Sequence, residues 1–213
     1  MGELAALARS AGLTMIDDLG SGALRPGDAW DGEPDALSSL AAGCDLVTFS
    51  ADKLLGGPQA GILAGRAEPV ARARAHPLMR ALRPDKLTLA ALEATLALHR
   101  DPDEARRTVP ALAALHCDPA ERRARAERLA RAVSGEVVAS AGRMGGGTLP
   151  LAELPSFAAA LDAEHPDRLA AALRAGDPAV AARIEGGRVL LDVLALSDAD
   201  LDALPELVRR ARS

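Results

Sequence analysis

Apolar and polar positions along the chain follow two periods, one near 3.6 residues and one near 2, and the switches between them outline the predicted elements. Glu3 to Ala11 has the spacing of an amphipathic helix closed by Gly12. Leu13-Thr14-Met15-Ile16 is an apolar run of strand length that ends at Asp17-Asp18. Gly20 to Pro34 is rich in Gly, Pro and Asp and reads as loop. A short helix is predicted from Asp35 to Ala42, backed by Gly43, and a second strand from Leu46 to Phe49. Gly56-Gly57-Pro58 is a tight turn, Ala60 to Ala64 a third strand, and Arg66 to Ala75 another helix. Strands and helices joined by short connections predict an α/β layer.

Leu89, Leu92, Leu96 and His99 fall on one helical face, so Thr88 to His99 is predicted to be a long connecting helix. Residues 118–133 form an Arg-rich helix in which Glu121/Arg125 and Glu127/Arg131 are i,i+4 pairs, the pattern of a solvated face rather than a nucleic-acid patch. The remainder reads as a strand from Glu136 to Ser140, a strand from Ser156 to Leu161 and a helix from Pro166 to Ala175. Val180 to Val193 is a hairpin turning at Gly186-Gly187, and a final helix, Asp198 to Arg212, starts from Ser197 as N-cap. There is no internal repeat and no low-complexity linker. The chain divides near residue 100 into an α/β part, 1–100, and a smaller α+β part, 101–213.

Composition narrows the function classes. With 49% hydrophobic and 26% charged residues and a net charge of -5, the 213-residue chain is of soluble globular type. No apolar run approaches the roughly 20 residues of a membrane span. Met1-Gly2-Glu3-Leu4 lacks the basic start of a signal peptide, so a cytoplasmic location is expected. Cys44 and Cys117 are too few and too far apart for a disulfide scaffold or a zinc knuckle, and Cys44 reads as core. His76, His99, His116 and His165 have no metal-ligand spacing. Aromatic residues are 1% of the chain, which leaves almost no platform for stacking single-stranded bases. Of the 25 basic residues only Lys53 and Lys86 are lysine. Mutational drift toward Arg and Ala accounts for most of that bias, yet a surviving lysine is where amine chemistry that Arg cannot perform is expected.

Lys53 lies in Ser50-Ala51-Asp52-Lys53-Leu54-Leu55-Gly56-Gly57-Pro58-Gln59-Ala60-Gly61. It sits at the mouth of a strand, three residues after a serine and three before a Gly-Gly turn. A pyridoxal phosphate (PLP) enzyme needs such an amine, a hydroxyl and backbone N–H groups for the phosphate, and glycines that let backbone approach the cofactor. It also needs an acid to keep the pyridine nitrogen protonated, for which Asp18 is suitably placed. A surface lysine beside a glycine turn has the same spacing, and both readings stand on spacing alone. Gly145-Gly146-Gly147 lacks the Lys-Ser/Thr of a P-loop and reads as a turn.

Longer runs carry more information. Asp18-Leu19-Gly20-Ser21-Gly22, Phe49 to Gly61, and His76 to Leu96, with Arg80-Ala81-Leu82-Arg83-Pro84-Asp85-Lys86 at its centre, resemble the bacterial L-seryl-tRNA(Sec) selenium transferases, or selenocysteine synthases. Met144 to Pro150 and Arg183 to Arg188 resemble that family's C-terminal segments. The resemblance covers nearly the whole chain in order and implies a partial fold-type I PLP-dependent transferase. Residues 1–100 would be the C-terminal part of the PLP-binding large domain with its connecting helix, and 101–213 the small α+β domain. Lys53 matches the lysine that carries the cofactor, Asp18 the acid at the pyridine nitrogen with Asp17 as its rival, and Ser50 the phosphate-binding hydroxyl. Arg80 and Arg83 match arginines for the anionic selenium donor, and the same positions suit surface helix-end arginines.

The resemblance implies conversion of seryl-tRNA(Sec) to selenocysteinyl-tRNA(Sec) with selenophosphate, through an aminoacrylyl intermediate, in a homo-oligomer built as a ring of dimers. Chains of the family are about twice as long, so this one is expected to be truncated and inactive alone. Two alternatives are a non-catalytic interaction module of the same oligomer and a different PLP-dependent lyase or transferase acting on a free amino acid.

Overall fold

The computed structural model describes residues 1–27, 32–143, 145 and 153–213, which group into two compact units. The first holds Met1–His116; the second holds Cys117–Arg143 and Glu153–Ser213.

In the first unit the elements are α1 (Gly2–Ser10), β1 (Ile16–Gly20), α2 (Ala36–Ala41), β2 (Leu46–Ser50), β3 (Gly61–Gly65), α3 (Ala67–Ala75), α4 (Leu78–Ala81), α5 (Lys86–Leu98), α6 (Pro102–Thr108) and α7 (Pro110–His116). The three strands form one sheet in the order β1-β2-β3, with β1 parallel and β3 antiparallel to β2. The first strand begins three residues later than the apolar run suggests. Leu13 is used to close α1, its N–H bonding the Ala8 carbonyl, and pairing starts only where Ile16 meets Leu46. Asp17 and Asp18 therefore lie inside the strand.

Asp45 ties the near end of this sheet together. Its carboxylate accepts the Met15 N–H at 2.9 Å and Arg66 Nη1 at 3.0 Å, and its carbonyl accepts the Arg66 N–H. Those bonds, the Met15 N–H foremost, hold its carboxyl below the usual carboxylate range. The face of the sheet bearing Leu19, Val47 and Phe49 is packed with Ala36, Ala51 and Leu55 into a core. Cys44 is buried, which pushes its thiol up and makes it a poor nucleophile, consistent with a core role.

α5 starts two residues earlier than its apolar face suggests, because the Asp85 side chain accepts the Leu87 and Thr88 N–H groups as N-cap. Leu92 joins the core and His99 is buried behind the helix, whereas Leu89 and Leu96 of the same predicted stripe are largely exposed. α6 and α7 have no counterpart in the periodicity. Each is a two-turn segment, too short for a stripe, and α6 is announced by Asp101 as N-cap with Pro102 behind it.

The second unit comprises α8 (Pro119–Val133), β4 (Glu136–Gly142), β5 (Leu154–Leu161), α9 (Pro166–Ala175), β6 (Arg183–Glu185), β7 (Arg188–Asp192) and α10 (Asp198–Arg212). Its sheet is antiparallel in the order β4-β5-β7-β6. α8, α9 and α10 contribute Leu129, Leu169, Leu173, Leu201, Leu204 and Val208 to a core with Ala159, Leu161, Val189 and Leu191 of the sheet. The β6–β7 hairpin turns at Gly186-Gly187, both at positive φ, and Ser197 caps α10 in a reciprocal box with Asp200.

α8 is less solvated than its charge suggests. The ion pair along it is Arg123–Glu127, and Arg125 turns instead to Asp198 and the Leu196 carbonyl. Arg122 is buried and donates to the Pro155 carbonyl. The Met144–Pro150 and Gly145–Gly147 readings lie, apart from Gly145, outside the described residues. No helix among the described residues is long and apolar enough to cross a membrane.

Two outcomes test this account. Leu129 is 1% exposed, and Leu129→Ala should lower the unfolding free energy by about 2–5 kcal/mol in urea titrations, the range for a buried leucine whose site cannot collapse. Asp45 has a lowered folded-state pKa, so its stabilisation is complete above its unfolded value of about 4 and is lost as pH falls through the folded value. Urea titrations across pH should therefore find Asp45→Asn less stable than wild type at neutral pH, with the gap closing in acid.

Candidate functional site

The sheet of the first unit presents two faces, and the alternation of a strand assigns the residues between them. Asp17 lies on the packed side, where its carboxylate accepts the Ser39 hydroxyl of α2 at 2.6 Å. Asp18 lies on the other side, where Thr48 Oγ1 donates to it at 2.9 Å. Ser50 is two residues beyond Thr48 on the same strand, so Asp18, Thr48 and Ser50 share the less covered face. One residue step thus separates a carboxylate that a helix hydroxyl holds on the packed side from one that a strand hydroxyl holds on the exposed side.

Beyond Ser50 the chain folds into a compact turn that carries Lys53. The Ala51 N–H bonds the Ala60 carbonyl at 2.9 Å, the Gly57 N–H returns to the Ala51 carbonyl at 2.7 Å, and the Gly56 N–H to the Lys53 carbonyl at 3.0 Å. Leu54 and Leu55 are buried beneath it, whereas Lys53 itself is half-buried. Hydrophobic anchors on one side of the lysine and the turn's own hydrogen bonds fix where its amine emerges.

A bond between the two loops joins this turn to the end of β1. The Leu54 N–H donates to the Ser21 carbonyl at 3.0 Å. Gly22 lies so close that a Cβ there would stand 2.7 Å from the Ser50 carbonyl oxygen, and its φ of +82° is in the left-handed region. Asp18-Leu19-Gly20-Ser21-Gly22 and the lysine turn are therefore built as one piece. Within it Ser21 Oγ is buried with no hydrogen-bond partner.

The arginines lie elsewhere in the same unit. Arg80 is in α4 and Arg83 precedes α5, both exposed. The 13-residue α5, about 20 Å long, has its N-terminal end beside Arg83 and reaches the lysine turn through its C-terminal half. There Leu92 and Thr95 line Gly57, and His99 Nε2 is 2.9 Å from the Leu55 carbonyl. The structure thus brings Asp18, Ser50 and Lys53 to one end of one sheet, while Arg80 and Arg83 stand exposed in α4 and just before α5. Thr48 and His99 are neighbours of the site that the sequence reading passes over, though Thr48 alternates with Ser50; Ser21 lies inside the Asp18–Gly22 motif but is given no role there.

The chain's relatives agree on its kind. The family model described as L-seryl-tRNA selenium transferase matches residues 1–197. A protein named L-seryl-tRNA(Sec) selenium transferase from Hyphomonas neptunium is 46% identical over 98% of this chain and 47% of its own length. Its namesake from Solidesulfovibrio magneticus is 43% identical over 99% of this chain and 48% of its own. A third from Moorella thermoacetica is 45% identical over 91% and 44%. The chain thus spans about half the length of the curated relatives it matches. In fold it is similar to D-glucosaminate-6-phosphate ammonia-lyase, with a TM-score of 0.57 at 19% identity, covering 100% of this chain and 53% of that one. Residues 1–197 out of 213, matched in order, and relatives of this one name make the chain a member of the L-seryl-tRNA selenium transferase family.

Proposed function

We propose that this chain is the lysine-bearing part of a PLP-dependent enzyme that converts seryl-tRNA(Sec) to selenocysteinyl-tRNA(Sec) with selenophosphate as selenium donor, in the cytoplasm. The observation that carries the reading is the joining of the Asp18 loop to the Lys53 turn through the Leu54–Ser21 hydrogen bond. The donor chemistry fits PLP: one half-buried amine, one exposed carboxylate, the hydroxyls of Thr48 and Ser50 on the same face, and an unpartnered hydroxyl at Ser21.

Each residue has a task in this reading. Lys53 attaches the cofactor through its amine and, once freed, takes the proton from the seryl α-carbon. Asp18, on the exposed face with Ser50, holds a proton at the pyridine nitrogen; Asp17, turned to the packed side against Ser39, is the weaker choice. Ser50 donates its hydroxyl to the phosphate. Bound PLP supplies the electron sink for charge that develops at the α-carbon. Arg80 and Arg83 hold the oxygens of the anionic selenium donor, a task suited to forked guanidinium groups. The same reading takes residues 1–100 as part of the cofactor-binding domain and 101–213 as the small domain.

Leu82 and Leu87 are 71% and 76% exposed, and Leu4, Leu7, Leu13 and Ile16 are exposed as well. Apolar side chains left in water on this scale mark surfaces that other polypeptide covers. They favour a working form that is a homo-oligomer, with the isolated chain inactive, and they are equally compatible with a non-catalytic module that docks to the same assembly.

Expression of residues 1–213 with PLP tests the assignment. Wild type should carry a visible absorbance band from lysine-linked cofactor. The band should vanish in Lys53→Ala and Lys53→Arg and persist in Lys86→Ala. Asp18→Asn should perturb it more than Asp17→Asn. Cofactor still linked through lysine in Lys53→Ala would overturn the reading.

A further inference from the structure

His99 has no metal-ligand spacing in the sequence, yet it is 4% exposed and its ring is aimed at the lysine turn. Its Nε2 lies 2.9 Å from the carbonyl oxygen of Leu55, two residues after Lys53. A carbonyl can only accept, so Nε2 carries the proton and donates. The carbonyl of His99 in turn accepts Arg25 Nη2 at 2.9 Å. Arg25 belongs to the segment that follows Asp18-Leu19-Gly20-Ser21-Gly22. A short chain of bonds, Arg25 to His99 to Leu55, thus fastens both motif loops to the C-terminal end of α5.

The neighbours make that fastening specific. Leu92 and Thr95, on the same side of α5, approach Gly57 so closely that a Cβ there would touch both at 3.5 Å. A Cβ on Gly56 would stand 2.3 Å from Val109 Cγ1. The turn is therefore pressed between α5 and Val109 at the C-cap of α6, and the His99 bond fixes its orientation in that space. Contact with apolar side chains is non-directional and lets a turn rock; a buried hydrogen bond to a carbonyl does not.

We propose that His99 is a positioning residue for Lys53: its Nε2–H holds the Leu55 carbonyl, and Arg25 holds His99, so that the lysine amine emerges at one orientation beside Asp18 and Ser50. The inference rests on Lys53 being the cofactor lysine, and its test separates the two claims.

The full chain is compared as wild type, His99→Gln and His99→Leu. Glutamine can donate to the same carbonyl; leucine is similar in volume and cannot. Hydrogen–deuterium exchange is followed for the amides of Leu54, Gly56 and Gly57, with β5 as internal reference. Loss of the buried bond should speed exchange in the turn about tenfold in His99→Leu, with β5 unchanged and His99→Gln within about threefold of wild type. In parallel, PLP with borohydride serves as an amine probe, mapped by peptide mass. Modification of Lys53 relative to Lys86 should fall about fivefold in His99→Leu and recover in His99→Gln, since a bond of this kind is worth roughly that factor. Exchange in the turn that is the same in all three chains, or no better in His99→Gln than in His99→Leu, overturns the proposal. If His99→Leu does not fold, Arg25→Met replaces it, and faster turn exchange with β5 unchanged is expected; unchanged turn exchange overturns the proposal there too. Wild-type Lys53 modified no faster than Lys86 counts against Lys53 as cofactor lysine, while the exchange comparison still decides what His99 does.

Discussion

Two parallel strands end side by side but have no turn to join them, so the loops that leave them are free to diverge unless something binds them. In this chain the binding element is the hydrogen bond from the Leu54 N–H to the Ser21 carbonyl, at 3.0 Å. It draws the loop after β1 under the turn after β2, and glycine at position 22 lets the two backbones approach to a distance that a side chain would block. The positions of Asp18, Ser50 and Lys53 relative to one another follow from that contact. The core beneath it, with Leu19, Phe49, Ala51 and Leu55 packed together, holds it in place.

Strand alternation then decides which groups are available. Asp17 and Asp18 are chemically identical and adjacent in sequence, yet one accepts a hydroxyl from α2 and the other faces Thr48 on the open side. A parallel pair is ordinarily covered on both faces. Here the side bearing Asp18, Thr48 and Ser50 is only partly covered, and Leu63 of β3 stands exposed beside Thr48. An uncovered face with polar groups at its end is where a ligand or further polypeptide would be received.

The two units differ in how far they satisfy themselves. In the second, three helices close over one face of an antiparallel sheet, and cross-strand polar groups are paired, Ser140 and Ser156 both donating to Asp192 at 2.6 Å. In the first, α5 has no fully buried residue although it is mostly Leu and Ala. That contrast fits a chain spanning about half the length of its relatives. Its apolar surplus is concentrated in the unit that carries the candidate site.

Much of this was legible in the residues themselves. The Gly186-Gly187 hairpin, Ser197 as the start of α10, the strand–turn–strand around Lys53 and the motifs that mark the family all depend on local conformation or on residue identity, and local chemistry is written in order along the chain. The short helices α6 and α7 were not legible, because two turns carry too few positions to define a period. Nor was the fate of the arginines of α8, since an i,i+4 spacing says nothing of a carbonyl or carboxylate brought up from another element. The tertiary structure alone decided that Asp17 meets α2 on the packed side while Asp18 meets Thr48 on the exposed one, that Ser21 and Gly22 support the lysine turn, and that His99, 44 residues beyond Leu55, reaches back to it. These are contacts between segments far apart in sequence, and only packing, which closes the distance between them, determines which polar groups meet.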